Sequence, residues 1–179
     1  MLKRGMLLLI CAVLLGTAVW AFAEGSSVDV NGSFQVTCKV LPGYSLASKW
    51  VDANLYTGVM TPEDPKKPVM LLSIAYSELS NGRTLNDYSE EEIATLAKGY
   101  TEDMPDAKIS YDVTGLGTKL IVIREDTGSD PHVEIVTIYK GYELSLYAYI
   151  EDTAGENTPL SEDDMALINT FLTDMVIEG

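Results

Sequence analysis

Between Lys108 and Ile150 the chain offers four successive runs rich in Ile, Val and Tyr: Lys108 to Val113, Thr118 to Arg124, His132 to Tyr139 and Tyr142 to Ile150. Only short turns separate them. A parallel pair needs a crossover of roughly a dozen residues or more, so strands joined this tightly must pair antiparallel. Lys140-Gly141 is a two-residue hairpin signal in which glycine supplies the positive backbone angle. Thr114-Gly115-Leu116-Gly117 joins two strands instead of preceding a helix, so it reads as a hairpin turn and not as a phosphate cradle. A doubly wound parallel sheet is excluded.

The flanking sequence supplies further strands and two helices. Phe34, Val36, Cys38 and Val40 alternate with Ser33, Gln35, Thr37 and Lys39, the period of a strand with one buried face. Leu46 to Val51 and Asn54 to Met60 are less regular strands, and Thr61 to Pro68, with three prolines, is a loop. Val69 to Tyr76 (VMLLSIAY) is apolar at nearly every position, which predicts a central strand covered on both faces; Tyr142 to Ile150 has the same character. Ser89 and Glu92 form a capping box before a stripe of Ile93, Leu96, Ala97, Tyr100 and Met104, and Pro105 ends that run. Ser161 and Asp164 start a second helix with Met165, Ile168, Phe171, Leu172 and Met175 as its buried stripe, although the shorter aspartate reaches back less well than glutamate. The result is an α+β chain, a mostly antiparallel sheet flanked by helices. With central strands apolar on both faces, the helices are expected on opposite sides, as a three-layer α/β/α sandwich.

Met1 to Ala23 has the plan of a secretory signal peptide: Lys3 and Arg4, an apolar run from Met6 to Phe22, and the small-residue exit Ala21-Phe22-Ala23. Cleavage after Ala23 would give a secreted or otherwise extracytoplasmic protein with no stable membrane span; retention as an anchor is the alternative. Residues 24–32 (EGSSVDVNG) read as a flexible lead-in, and 33–179 as one folded domain. Loss of the leader removes Cys11 and leaves Cys38 as the sole cysteine, so no intramolecular disulfide can form. With 12 basic against 27 acidic residues the formal charge is -15, which disfavours nucleic acid and anionic headgroups as partners.

The strand ending in Leu41-Pro42-Gly43-Tyr44, the helix capped at Ser89, the Tyr139-Lys140-Gly141-Tyr142 hairpin and the closing helix after Ser161-Glu162-Asp163-Asp164 together resemble the PsbP-like fold. This fold, also called the Mog/PsbP-like α/β/α sandwich, includes a photosystem extrinsic subunit, a Ran-binding import factor and small exported bacterial proteins. The resemblance implies an interaction or accessory role without catalysis. It names no partner.

The residues themselves point the same way. A Ser, His and Asp set would depend on His132, the only imidazole, which follows Pro131 at a strand start and reads as an ordinary exposed or half-buried histidine. Cys38 alternates with Phe34 and Val36 on an apolar face and reads as a small buried hydrophobe. Structural zinc needs about four Cys or His ligands, more than Cys38 and His132 supply.

Two acidic loops, 125–130 (EDTGSD) and 151–157 (EDTAGEN), follow strands and could offer calcium several oxygens. Asp126, Asp130, Glu151, Asp152 and Glu156 are the candidate ligands, although the EF-hand spacing is absent and a solvated turn explains the same residues. Of the tyrosines, Tyr139, Tyr142, Tyr147 and Tyr149 read as strand formers that pack between layers. Tyr44, Trp50 and Tyr56, in the less regular early region, are expected to be more exposed and are the candidate ligand-binding residues.

The leading expectation is therefore an exported, non-enzymatic domain that binds a protein or small ligand outside the cytoplasm and needs no cofactor. One alternative is a calcium-binding module using the acidic loops. Another is a small hydrolase with two carboxyl groups in a cleft, at least one of raised pKa.

Overall fold

The computed structural model describes residues 26–30, 32–52, 54–77, 80, 82–113, 116–127, 130–151 and 155–179; Met1 to Ala23, the expected signal peptide, lies outside them. The large sheet contains β3 (Tyr44–Asp52), β4 (Leu55–Pro62), β5 (Val69–Tyr76), β6 (Lys108–Val113), β7 (Lys119–Glu125), β8 (His132–Tyr139) and β9 (Tyr142–Glu151). Their spatial order is β3-β4-β5-β9-β8-β7-β6, and every pairing is antiparallel. Short β10 (Asn157–Thr158) pairs with the end of β9. A second, three-stranded sheet consists of β1 (Ser26–Val30), β2 (Phe34–Cys38) and β11 (Val176–Glu178). Among the described residues the helices are α1 (Glu90–Tyr100) and α2 (Glu162–Thr173), and a 3-10 turn at Leu85–Asp87 precedes α1.

The two long strand groups are meanders built from neighbours in sequence. After β5 the chain passes through α1 to the far edge, then returns strand by strand until β9 pairs with β5. Eight register pairs, Val69↔Tyr149 through Tyr76↔Tyr142, close this long-range junction.

Successive residues of a strand face opposite ways, so the sheet has two distinct faces. The inner face carries Met70, Leu72, Ile74, Val133, Ile135, Leu144 and Leu146, packed with Ile168, Phe171 and Leu172 of α2 and with Val36 and Ile177 of the small sheet. On the outer face Ile121, Ile123, Val136 and Ile138 pack with Leu85, Ile93, Ala97 and Met104. Thus α1 and α2 belong to separate apolar clusters.

Both capping boxes form. Ser89 Oγ accepts from the Glu92 amide while Glu92 accepts from the Ser89 amide at 2.8 Å. Asp164 does the same for Ser161 at 3.0 Å, and its other oxygen accepts from Lys67 Nζ at 3.2 Å. The short aspartate therefore does reach, and the same carboxylate ties the proline-rich loop to α2. Helix α1 ends at Tyr100, ahead of Pro105, with the Thr101 hydroxyl donating to the Ala97 carbonyl; Met104 is buried from the turn that follows.

Three expectations are corrected. Ser26–Val30 is not a flexible lead-in: Val28 and Val30 pair with Val36 and Phe34 and extend the small sheet. Thr61 and Pro62 belong to β4, where Pro62 pairs with Tyr44 at a strand end that tolerates a missing donor. Finally, β5 and β9 are buried on the inner face only. Their outer-face residues are half-buried, because the apolar cluster of α1 reaches β7 and β8 and stops there.

Tyr56 lies across Gly58 on the inner face, and a Cβ at Gly58 would meet Tyr56 Oη at 2.5 Å. Gly58→Ala should therefore displace a fully buried ring and lower unfolding free energy by about 1 to 3 kcal/mol in urea titrations. Asp164 offers a second test. Burial alone would raise its carboxyl pKa, but hydrogen bonds from the Ser161 side chain and backbone, then Lys67, hold it below the ordinary aspartate value. A depressed folded pKa contributes stability that is complete above about pH 4 and is lost as pH falls through the folded value. Asp164→Ala should cost about 1 to 2 kcal/mol at neutral pH and shrink the acid dependence of Tm below that point.

Candidate binding face

The outer face is divided. Over β7 and β8 it is roofed by α1, whereas across β4, β5 and β9 it presents Leu55, Thr57 and Val59, then Val69, Leu71, Ser73 and Ala75, then Ser145, Tyr147 and Tyr149, all half-buried. Cross-strand register puts them in rows: Val59 with Leu71 and Tyr147, and Thr57 with Ser73 and Ser145. Trp50 pairs with Thr57 and is 52% exposed, at the margin of the same surface.

Between α1 and the start of β9 lies a groove of about 810 Å3, with Tyr88, Leu96, Tyr100, Ile138 and Glu143 among its walls; Glu143 shares the β9 face of Ser145, Tyr147 and Tyr149. Two contacts shape it. Tyr100 Oη donates to Glu143 Oε1 at 2.6 Å, tying the helix to β9, and burial first, then Glu143, raises the phenol pKa. Arg83 stacks its guanidinium 3.7 Å from the Tyr88 ring centroid and donates to the Asp87 carbonyl at 2.7 Å. Glu91, Glu92, Glu134 and Glu143 border the helix side, and Asp130 lies beyond Tyr147.

The candidate ligand-binding residues do not form one site. Tyr44 and Tyr56 belong to the inner-face cluster, and only Trp50 reaches the outer face. Tyr56 is wholly buried, a correction explained by the room that Gly58 leaves for its ring. Tyr44 is half-buried; burial first, then Asp164 and Asp64, pushes its phenol up to about 12.

The acidic loops leave the same end of the sheet, because β7 and β9 both run antiparallel to β8. They even touch, through Asn157 donating to Asp130. Their carboxylates nonetheless serve opposite faces. Asp126 accepts from Lys108 at 2.9 Å and from Arg124 at 2.6 Å, and these cations, Lys108 first, lower its pKa. Arg124 continues to Glu162 at 3.1 Å and to the Leu160 carbonyl. Asp130 instead accepts from Tyr147 Oη at 3.0 Å on the outer face. Glu151 ends β9 near the proline-rich loop, Glu156 is exposed, and Asp152 lies outside the described residues. Among the described residues no three His, Cys, Asp or Glu side chains gather as a metal would need.

His132 corrects another expectation, since it is buried. Its Nδ1 lies 2.6 Å from the Asp130 carbonyl, which can only accept, so Nδ1 carries the proton; the ring stacks on Tyr147 at 4.6 Å. Cys38 is buried in the small sheet, and burial pushes its thiol up to about 12, opposite to what a nucleophile requires. The displaced carboxyls, Asp87, Glu92, Asp126 and Asp164, all move down, away from the direction a general acid needs.

Sequence reasoning missed the open half of the outer face. Its signal was present: Ser73 interrupts the apolar run of β5, and Ser145, Tyr147 and Tyr149 share one face of β9.

No family model, curated protein or solved structure matches this chain. Among the described residues, no helix is long and apolar enough to cross a membrane.

Because Asp126 is matched by two cations and Asp130 by two donors, millimolar calcium should leave Tm unchanged relative to EDTA. A calcium-dependent rise in differential scanning calorimetry would count against that.

Proposed function

We propose that this chain is an exported, non-enzymatic accessory domain of the PsbP-like, three-layer type, and that it binds a segment of another extracytoplasmic protein on the open half of its outer face. The observation that carries the reading is the uneven cover of that face. A sheet with apolar residues on both sides normally buries both, yet here α1 covers the β7 and β8 side and leaves rows of Leu, Val and Tyr half-exposed beside a groove. Strands lie about 4.8 Å apart and a helix with its side chains is about 10 Å across, so β4, β5 and β9 offer room for one helix or extended segment beside α1. The surface combines apolar bodies with polar tips from Tyr100, Tyr147 and Tyr149, a composition suited to a peptide or protein surface. Its acidic border at Glu91, Glu134, Glu143 and Asp130 favours a partner with basic residues flanking an apolar stripe.

A photo-crosslinking amino acid placed at Leu71 or Leu96 in the producing cell should capture the same extracytoplasmic protein from both positions. The same group at Asp103, exposed beyond the end of α1, should not. The captured protein should bear a basic amphipathic segment, and Leu71→Glu should abolish capture from Leu96. Capture equal at all three positions, or none at the first two, would reject this face as the binding surface.

A further inference from the structure

We infer that β6, the free edge of the large sheet, pairs with β6 of a second copy of this chain. The two edges of the sheet differ. At β3 the register shifts between Ser48 and Trp50, an irregularity that spoils an edge for further pairing. Strand β6, by contrast, pairs with β7 at six consecutive positions without a shift, and among the described residues its other side carries no strand. Residues 108–112 are exposed, including Ile109 at 40% and Tyr111 at 52%.

The order of residues along this edge is self-complementary. An antiparallel pair centred on Ser110 places Ser110 opposite its own copy, Ile109 opposite Tyr111 and Lys108 opposite Asp112, with each of the last two pairs repeated by the two-fold axis. A strand bearing two like charges would repel itself in this register. Here both ends attract. Ile109 and Tyr111 are in register with Ile123 and Ile121, which pack under α1, so pairing would carry the apolar outer-face band from one copy to the next. Lys108 already donates to Asp126 of its own chain at 2.9 Å, but an ammonium has three donors and this one is three-quarters exposed. The edge is short, and an interface of this kind falls at or below the ~1,000 Å2 that a stable complex should exceed, so the dimer is a weak, concentration-dependent one. It lies at the opposite end of the sheet from β4 and β5 and leaves the proposed binding face free.

Sedimentation equilibrium of the purified protein at about 0.15 M salt, from ~10 µM to ~1 mM, should show a monomer–dimer equilibrium. Asp112→Lys sets Lys108 against a second lysine twice over and should weaken dimerisation about tenfold, and adding Lys108→Asp should restore it. Ile109→Glu, which leaves the Lys108 and Asp126 bridge intact, should also dissociate the dimer, with Tm and near-ultraviolet circular dichroism confirming the fold of each variant. A monomer throughout the range, a dimer indifferent to Asp112→Lys, or a loss that the charge exchange does not repair would overturn the proposal. None of these results bears on crosslinking at Leu71 and Leu96.

Discussion

The architecture depends on the pairing of β5 with β9. Each meander is local, and each could form its own turns, but neither alone can bury the inner-face residues that both supply. Joining Val69–Tyr76 to Tyr142–Tyr149 in register makes one continuous surface of Met70, Leu72, Ile74, Leu144, Leu146 and Ala148. A slip of one residue would turn one strand's set outward while the other's stayed inward, so the alternation itself enforces the register. The cost is loop closure across α1 and three strands, which burial of the shared core must offset.

From that junction follows the asymmetry of the two faces. The small sheet and α2 lie on the inner face, anchored there by Phe171, Leu172 and Ile177, and by the Asp164 carboxylate that caps α2 while gripping Lys67. On the outer face α1 docks where β7 and β8 are most apolar and is tied to β9 at its last residue, through Tyr100 and Glu143. The rest of that face is left to half-buried Leu, Val and Tyr side chains interspersed with small polar groups. Buried nucleophiles and bases are occupied elsewhere: Cys38 by apolar packing, His132 by a carbonyl and a stacked ring.

Strand boundaries were legible because alternation and turn chemistry are local. Val69–Tyr76 and His132–Tyr139 coincide with their expected limits, and Ser89 and Ser161 cap the helices that they announce. What sequence could not show was the number of covered faces. An apolar run such as VMLLSIAY is compatible with two covered faces or with one covered and one half-open, and the choice depends on where a distant helix lands. The same limit explains Tyr56: its burial depends on a glycine two residues away and on the inner-face core, not on its own segment's regularity. The role of Ser26–Val30 was hidden because its partner, β2, is itself held by β11 from the far end of the chain.

Sequence alone determined that the chain is α+β with antiparallel hairpins, that its helices begin at Ser89 and Ser161, and that its formal net charge is -15. Those properties rest on neighbours in the chain, or on a sum over it. Only the tertiary structure decided that the two acidic loops meet at one end while Asp126 and Asp130 serve opposite faces, and that, among the described residues, β6 is a free edge and half of the outer face stays open. Each of those depends on strand order and on which residues a helix reaches, and these are set by long-range packing that no local pattern encodes.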